Sequence, residues 1–200
     1  TYIKRLGNTG RNFSVGGTVT SGEQNTDSQL DALTEYFSTG ETDALDQLQY
    51  TLSNDLRLDG QFSYTEPLKK RRFLEFSYNF NTLNADYVHD VYDVENGNQV
   101  INDTLSNFYT SVFQYHRPGV SFRYSGEVNT VNAGLQYQMS ELTGELSRNE
   151  TDIRQTYNHL LPKFMWRSDL GNGKNLRFSY NTKITQPTIT QLSPVLDNAD

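Results

Sequence analysis

The residue types that most often do chemistry are scarce in this 200-residue chain and are not spaced for it. Its three histidines, His89, His116 and His159, lie far apart and form no HExxH or similar metal-binding spacing. There is no cysteine, which excludes thiolate metal sites, cysteine nucleophiles and disulfide bonds. No G-x-S-x-G motif presents a serine nucleophile. We therefore expect no catalytic residue, no metal site and no cofactor, and we expect that the protein is not an enzyme.

One acidic segment, residues 86–97 with the sequence DYVHDVYDVENG, could supply oxygen ligands to calcium. The spacing of Asp90, Asp93 and Glu95 does not match the EF-hand pattern, in which ligands stand at alternate positions before a final bidentate glutamate. A solvated loop is the simpler interpretation. The alternating valines and tyrosines of this segment also allow a β-hairpin.

Charge argues against a nucleic-acid partner. The formal net charge is −7, from 17 basic and 24 acidic residues, whereas nucleic-acid binding requires clustered cations. The one basic run, residues 69–72, is typical of a charged turn. The chain opens without the apolar segment of a signal peptide, so we expect a mature chain or an internal fragment.

The clearest pattern in the chain is the alternation in residues 49–64, QYTLSNDLRLDGQFSY. Every odd position is polar, and the even positions are apolar except for Asn54 and Gly60. Because side chains alternate across a β-strand, this run predicts one apolar and one polar face. It would extend roughly 53 Å at about 3.3 Å per residue, whereas a membrane-spanning strand needs only about 9–11 residues. The pattern predicts the wall of a transmembrane β-barrel.

Short and long polar connections alternate between this strand and the others. Short turns are expected at 7–11, 66–71, 125–130 and 171–175, and long polar stretches at 21–47, 84–106 and 144–156. An outer-membrane barrel has this arrangement because its periplasmic turns are tight and its outer loops are long.

Three segments depart from the regular alternation. In 107–125 the apolar phase shifts near 116–119, where a proline and a glycine predict a bulge or a break in pairing. Residues 157–170 are apolar on both faces, and we interpret them as a strand. Residues 27–37 have apolar side chains at helical spacing after Asp27, a candidate N-cap, and predict a short helix in the first long stretch.

Together these patterns predict an all-β fold. We expect an antiparallel up-and-down meander of about seven to eight long amphipathic strands, part of a large transmembrane β-barrel in the bacterial outer membrane. Residues 1–200 are expected to form a single barrel segment. A barrel in lipid must be closed, and closure at eight strands is possible. Two hypotheses therefore remain: the chain is a fragment of a larger barrel, or it is a complete eight-stranded barrel. A mean hydropathy of −0.71 leaves a soluble β-sandwich open as well.

The polar strand faces are predicted to line the lumen, where they could contact a passing solute or a plug. The candidate lumen-facing residues are Asp55, Arg57, Asp59, Gln61, Arg177, Asn181 and Lys183. A wet interior requires polar side chains in any case. Their polarity alone therefore does not identify a binding site.

The most specific motif is LRFSYNTKITQPTITQLSP at residues 176–194. Supporting segments are GRNFS at 10–14, AGLQYQ at 133–138, LPKF at 161–164 and DLGNGK at 169–174. In these segments the chain resembles the TonB-dependent-receptor-like outer-membrane β-barrel proteins of the Bacteroidetes type. That family often has arginine where Gln186 stands and asparagine where Ser193 stands. The resemblance covers essentially the whole chain.

The resemblance implies a 22-stranded barrel with a plug domain, driven by an energy-coupling complex. Neither a plug nor a coupling box is recognisable in these residues, so both would belong to the parent protein. The implied partners are outer-membrane lipid and a small solute or glycan of unknown identity. The implied function is that of a barrel segment of a transporter or receptor for solute uptake. The alternative is a non-transporting outer-membrane or surface β-protein whose long loops bind a partner or glycan.

Overall fold

The computed structural model describes residues 1–7, 10–95, 97–146 and 151–185, and within them the chain is all β, as predicted. The strands in this part are β1 (Tyr2–Arg5), β2 (Asn12–Tyr36), β3 (Glu41–Lys69), β4 (Arg72–Glu95), β5 (Asn98–Ile101), β6 (Asn107–Ser125), β7 (Asn129–Leu146), β8 (Thr151–Gly171) and β9 (Lys174–Asn181). No described residue belongs to a helix long and apolar enough to cross a membrane.

The strands form one antiparallel meander that curls into a half-barrel. The order is β1-β2-β3-β4-β6-β7-β8-β9, and the short β5 pairs with the end of β4. Eight strands lie along this path, which agrees with the seven to eight that the sequence predicts. Across the described part of the chain, β1 pairs only with β2 and β9 only with β8, so both edges of the sheet are open.

The two faces of the sheet differ in burial. Phe62 and Tyr78 are direct register partners, and both remain largely exposed, at 43% and 40%. Buried strand residues such as Asn81 and Gln138 lie on the opposite face, and Ser168 is the exception. We call the face with the buried residues the inner face and the other the outer face.

Apolar side chains form a continuous band on the outer face, which we call the belt. Its exposed members are Val15, Val19, Leu58, Phe62, Phe76, Tyr78, Val120, Phe122, Leu135, Tyr137, Met139, Leu160, Phe164, Leu176, Phe178 and Tyr180. In β7 the belt runs from Val131 to Met139, which is about 30 Å at 3.4 Å per residue. Strand tilt reduces that length to roughly the 25 Å of a lipid-facing band. Soluble monomers rarely expose so large an apolar patch, which argues against the β-sandwich alternative.

The strands continue past the belt into a region that we call the extension, residues 20–55, 84–95, 97–115, 141–146 and 151–159. The predicted loop at 21–47 is wrong, because β2 and β3 pair continuously from Asn12↔Thr65 to Tyr36↔Glu41 and only residues 37–40 connect them. In the stretch 84–106, of which residue 96 lies outside the described residues, the end of β4 pairs with β5 as a hairpin, as the valine alternation allowed. In the third stretch, β7 and β8 cover all but residues 147–150, which lie outside the described residues.

The predicted helix at 27–37 is also wrong. The three residues that have helical spacing do not share a face, since Leu30 points to the inner face, Leu33 to the outer face, and Phe37 is 90% exposed in the turn. A helix of about 11 residues is marginal alone. Pairing with β3 instead satisfies the backbone of this segment along its length.

The predicted bulge in β6 is wrong, and the predicted break in pairing is confirmed on one side. The register with β4 is continuous from Arg72↔Tyr124 to His89↔Asn107. Toward β7 the ladder omits Arg117 and Pro118, and it resumes in the same register. The shift of the apolar phase therefore reflects a change in which face of a straight strand is apolar.

Candidate functional site

The structure places six of the seven candidate lumen residues on the inner face of a strand. These are Asp55, Arg57, Asp59 and Gln61 on β3 and Arg177 and Asn181 on β9. Lys183 follows the end of β9 and lies in no strand. The two groups are separated by β4, β6, β7 and β8 in the sheet, so they form no single cluster. That they line a lumen stays a prediction.

The β3 group contacts its neighbours through short polar side chains. Asn81 Nδ2 donates a hydrogen bond to Asp59 Oδ1 over 2.8 Å. The side chain of Gln61 lies over Gly16, where an added Cβ would stand 2.7 Å from Gln61 Nε2. Because Gly16 has no side chain, the inner face of β2 leaves room at this position for the side chain of Gln61.

The extension carries an inner aromatic surface that the sequence analysis missed, and we call it the aromatic wall: Tyr87, His89, Tyr109, Phe113 and Tyr115. Tyr87 and Tyr109 stack at 4.8 Å between ring centroids with an interplanar angle of 16°. Tyr109 and Phe113 are only 5% and 6% exposed. The signal was present in the sequence, since the shifted phase in 107–125 puts aromatics on odd positions.

The turn between β5 and β6 is tied to β4 next to the aromatic wall. The Ser106 hydroxyl accepts a hydrogen bond from Val91 N at 2.9 Å and donates to Asn102 O at 2.8 Å. Asn102 N donates to Val91 O at 2.7 Å. Val91 is 1% exposed beneath these contacts. Residues 102–106 are therefore an ordered cover over the end of the wall.

The acidic segment at 86–97 does not converge on a cation. Asp90 pairs with Tyr50 and faces outward, whereas Asp93 pairs with Gln47 and faces inward. Both carboxylate oxygens of Asp93 accept protein hydrogen bonds, from Gln47 Nε2 and Asn102 Nδ2. Within the described ranges, no group of three His, Asp, Glu or Cys side chains could hold a metal ion.

The three histidines remain apart in the structure. His89 Nδ1 lies 2.9 Å from Thr51 Oγ1 on the inner face. His116 faces outward, and its Nδ1 lies 2.6 Å from Tyr78 Oη. The ring of His159 stacks on that of Tyr157 at 6.3 Å. Each has a local aromatic or polar neighbour, and none approaches another histidine.

Arg117 joins the aromatic wall to the inner face of the belt. Its guanidinium lies 4.5 Å from the ring centroid of Tyr115 and donates two hydrogen bonds to Gln138 Oε1, at 3.0 and 2.6 Å. Gln138 is only 2% exposed. This fixed donor fork stands where the inner face changes from aromatic to polar.

Between Arg117 and the short turns, basic side chains lie on the inner face of β6, β8 and β9. We call this group the cationic wall: Arg123, Lys163, Arg167 and Arg177. Arg167 and Arg177 are direct register partners. Between Arg123 and Met165 lies Asn132, whose Oδ1 is buried without a hydrogen-bond partner.

The basic run at 69–72 forms a turn, as predicted. Lys70 and Arg71 connect β3 to β4, and Arg71 has a φ of 67°. The Arg71 guanidinium binds Glu127 in the neighbouring short turn at 2.5 Å. That hydrogen bond and the charge of Arg71 lower the pKa of the Glu127 carboxyl. The run thus links two turns at this end of the sheet.

Comparison with known proteins agrees with this architecture. The sequence model of the outer membrane protein beta-barrel family matches residues 4–200. None of the curated proteins matches the chain. A similar solved structure is the crystal structure of ferric citrate transporter FecA in the unliganded form, with a TM-score of 0.49 and 13% sequence identity. The similarity covers 84% of this chain and 26% of the FecA chain, so this chain spans about a quarter of that protein.

The decisive comparison is the family match, because it extends over nearly the whole chain and agrees with the observed half-barrel and its apolar belt. The second part of the 176–194 motif, residues 186–194 with Gln186 and Ser193, lies outside the described residues. The chain belongs to the outer membrane protein beta-barrel family and is a protein of the bacterial outer membrane.

Proposed function

We propose that this chain forms part of the wall of a TonB-dependent-type transporter that takes up a solute and performs no catalysis. The observation that carries the proposal is the open sheet, whose inner face within the belt is lined by polar side chains. The plug domain and the coupling to an energised inner-membrane complex belong to the parent protein in this proposal.

The open edges favour a barrel larger than eight strands. Within the described residues, the two edge strands β1 and β9 do not pair with each other. Unpaired backbone N–H and C=O groups at such edges cannot face lipid. Additional strands would pair them and widen the interior, and a wide barrel encloses an aqueous or plugged lumen whereas eight strands are largely filled by side chains.

The inner surface has two zones that suit capture followed by passage. In the extension, the half-buried rings of Tyr87, His89 and Tyr115 are the accessible part of the aromatic wall, because Tyr109 and Phe113 are nearly inaccessible. Further along the same face, Arg117 and then the polar inner face of the belt follow. A solute entering from the extension would meet rigid aromatic rings first and solvated polar groups next.

The test is solute uptake by the native full-length protein in its own cells. We would grow the parent strain and a deletion strain in a defined mixture of solutes and measure depletion of each by mass spectrometry. The proposal expects at least one solute to be depleted faster by the parent strain. A protonophore should remove the difference, because the driving energy comes from the inner membrane in this mechanism.

Deletion and parent strains that deplete every solute equally would overturn the transport proposal. A difference that survives the protonophore would indicate passive diffusion through the barrel instead. Complementation with the wild-type gene is the control, since it must restore the depletion rate.

A second candidate is a surface protein whose extension binds a partner or glycan. The observation that favours it is the β2–β3 hairpin, which continues far beyond the belt. In the part of this hairpin that belongs to the extension, residues 20–55, there are eight acidic residues and no basic one. Shortening the hairpin at matched positions of the ladder should then abolish cell-surface binding of the partner while leaving solute uptake unchanged.

A further inference from the structure

Along β6, β7, β8 and β9, the inner face around the cationic wall carries no acidic side chain within the belt. From 117 to 125 on β6, 130 to 138 on β7, 159 to 167 on β8 and 175 to 181 on β9, the inward positions hold no Asp or Glu. The nearest inward carboxylates are Asp169 at the turn, which accepts a hydrogen bond from Gly171 N, and Glu75 on β4, which pairs with Ser121 beside Arg123. Among the described residues neither makes an ion pair with the wall, and two carboxylates at its margins leave the four cations with a net positive charge.

Arg167 and Arg177 face each other directly across the β8–β9 ladder. Like charges in directly opposite positions destabilise a sheet. Neither arginine makes an ion pair with a described residue, and the recorded contact of the Arg177 guanidinium is with the Met165 sulfur at 3.8 Å. A counter-charge from outside these strands would relieve the repulsion.

Lys163 is held low on the same surface. Its stem lies across Gly134, where an added Cβ would stand 2.6 Å from Lys163 Cε. Arg123 lies 4.7 Å from the ring centroid of Phe73. Two of the four cations are thus positioned by packing. Their side chains therefore lose less conformational entropy when an anion binds.

On β3 and β4, the inner face carries the opposite net charge. The inward charges of β3 and β4 near the belt are Asp55, Arg57, Asp59 and Glu75. The inner face is therefore segregated into an acidic side on β3–β4 and a basic side on β6–β9. Within a cleft, a surface of one sign concentrates ions of the other sign.

We propose that the cationic wall binds an anionic solute with two or more carboxylate or phosphate groups. This inference rests on the proposed transport function, because it names the substrate class of that pathway. From β6 to β9 the wall is roughly 14 Å wide at about 4.8 Å per strand. From Lys163 to Arg167 it is about 13 Å tall at 3.3 Å per residue. This span suits several charged groups on one solute better than a single small ion.

The experiment is calorimetric titration of the full-length protein in detergent with citrate and with pyrophosphate, using maltose as a neutral probe. The test variant is Arg167→Gln combined with Arg177→Gln. The matched control is Arg72→Gln combined with Lys174→Gln, which removes the same charge from an outward position of β4 and from the first residue of β9. Heat-modifiable gel mobility confirms that each variant is folded.

We expect the wild type and the control to bind at least one of the two anions and not maltose. The test variant should bind that anion roughly tenfold more weakly or worse, since hydrogen bonds to charged groups are lost. Raising the salt concentration should weaken wild-type binding, because charge pairs are screened.

Equal affinities of the wild type and the test variant would overturn the inference, as would a lack of binding to both anions. A cross-link from Lys163 to an acidic segment of the same polypeptide, with no anion binding, would instead assign the wall to an internal partner. Uptake of a neutral solute without anion binding would remove this inference and leave the transport proposal intact. Anion binding without energised uptake of any solute would leave the anion-binding inference intact and remove the transport proposal.

Discussion

In the belt, the outer face is apolar and the inner face is polar, whereas in the extension the inner face holds the buried apolar side chains. Val91, Tyr109, Phe113 and Leu142 are all inward and nearly inaccessible. Outward positions of β7 beyond Met139 are Glu141, Thr143 and Glu145. In β6 and β7 the apolar face thus changes from outer to inner along one continuous strand, whereas the alternating apolar residues of β3 from Tyr50 to Leu58 all stay on the outer face.

The difference follows from the surrounding solvent. Lipid contacts the belt from outside, so apolar side chains are favoured there and the polar ones turn inward. Outside the membrane both faces meet water, and the apolar residues are buried against each other on the inner face. The strand period of two residues allows either arrangement without any break in backbone pairing.

The largest expected effect concerns the buried interior of the extension. Leu142→Ala should lower the free energy of unfolding by about 2–5 kcal/mol, because Leu142 is 2% exposed opposite the buried Phe113. Urea unfolding of the full-length protein, followed by hydrogen exchange of β6 and β7, measures it. Thr143→Ala, one residue along on the outer face, is the matched control and should change little. Equal losses in the two variants would break the comparison.

The next effect tests the belt from its lipid side. Leu135 is 44% exposed on the outer face, and Leu135→Arg should cost about 2–4 kcal/mol if it lies near the bilayer midplane. The measurement is the folded fraction in lipid vesicles across a urea series, by heat-modifiable gel mobility. Gln136→Arg places the same side chain on the inner face and should be tolerated. If the inner substitution proved the more damaging, the assignment of the faces would have to be reversed.

A smaller, local effect concerns the cover over the aromatic wall. Ser106→Ala leaves Val91 N without its side-chain acceptor, and a buried unpaired donor costs about 1–3 kcal/mol. Hydrogen exchange should accelerate in residues 90–106 and stay unchanged in the belt. Thr104→Ala is the control, because the recorded hydrogen bond of Thr104 uses its backbone N. Acceleration throughout the sheet would mean that the extension does not open as a separate unit.

The smallest effect lies at the short-turn end of the belt. The Arg71 guanidinium lowers the pKa of Glu127 from its ordinary 4.5. The pair therefore contributes stability above the unfolded pKa and loses it as pH falls through the lower, folded pKa. Exchange at residues 126–128 should be faster in Glu127→Gln at neutral pH, and the difference from wild type should vanish in acid. A difference that persists at low pH would show that charge is not its cause.

Much of the architecture could be predicted from local pattern. The alternation of residues 49–64 identified the faces of β3, since Leu58 and Phe62 are exposed on the outer face as that pattern requires. The short turns were placed correctly where the structure describes them, including the charged turn at 69–72. These features depend on sequence neighbours within one strand or one turn.

The candidate site was only partly predictable. The inward direction of Asp55 and Arg177 followed from alternation, but the aromatic wall and the cationic wall did not. The phase shift in β6 was interpreted as a bulge or a break in pairing, because a lone strand gives no information about which solvent each end meets. The helix at 27–37 failed for a related reason, since its competitor was a long ladder with β3.

By itself, the sequence determined the all-β class, the period of the strands and the lipid-facing side of the belt, because each depends on side chains two residues apart. Only the tertiary structure decided that the long stretches continue as strand and that the apolar face of β6 and β7 changes beyond the belt. Only the register brought Arg167 opposite Arg177 and Tyr87 against Tyr109. Residues far apart in the chain become neighbours through strand pairing, and that pairing is settled by the summed burial and hydrogen bonding of the whole sheet rather than by any one segment.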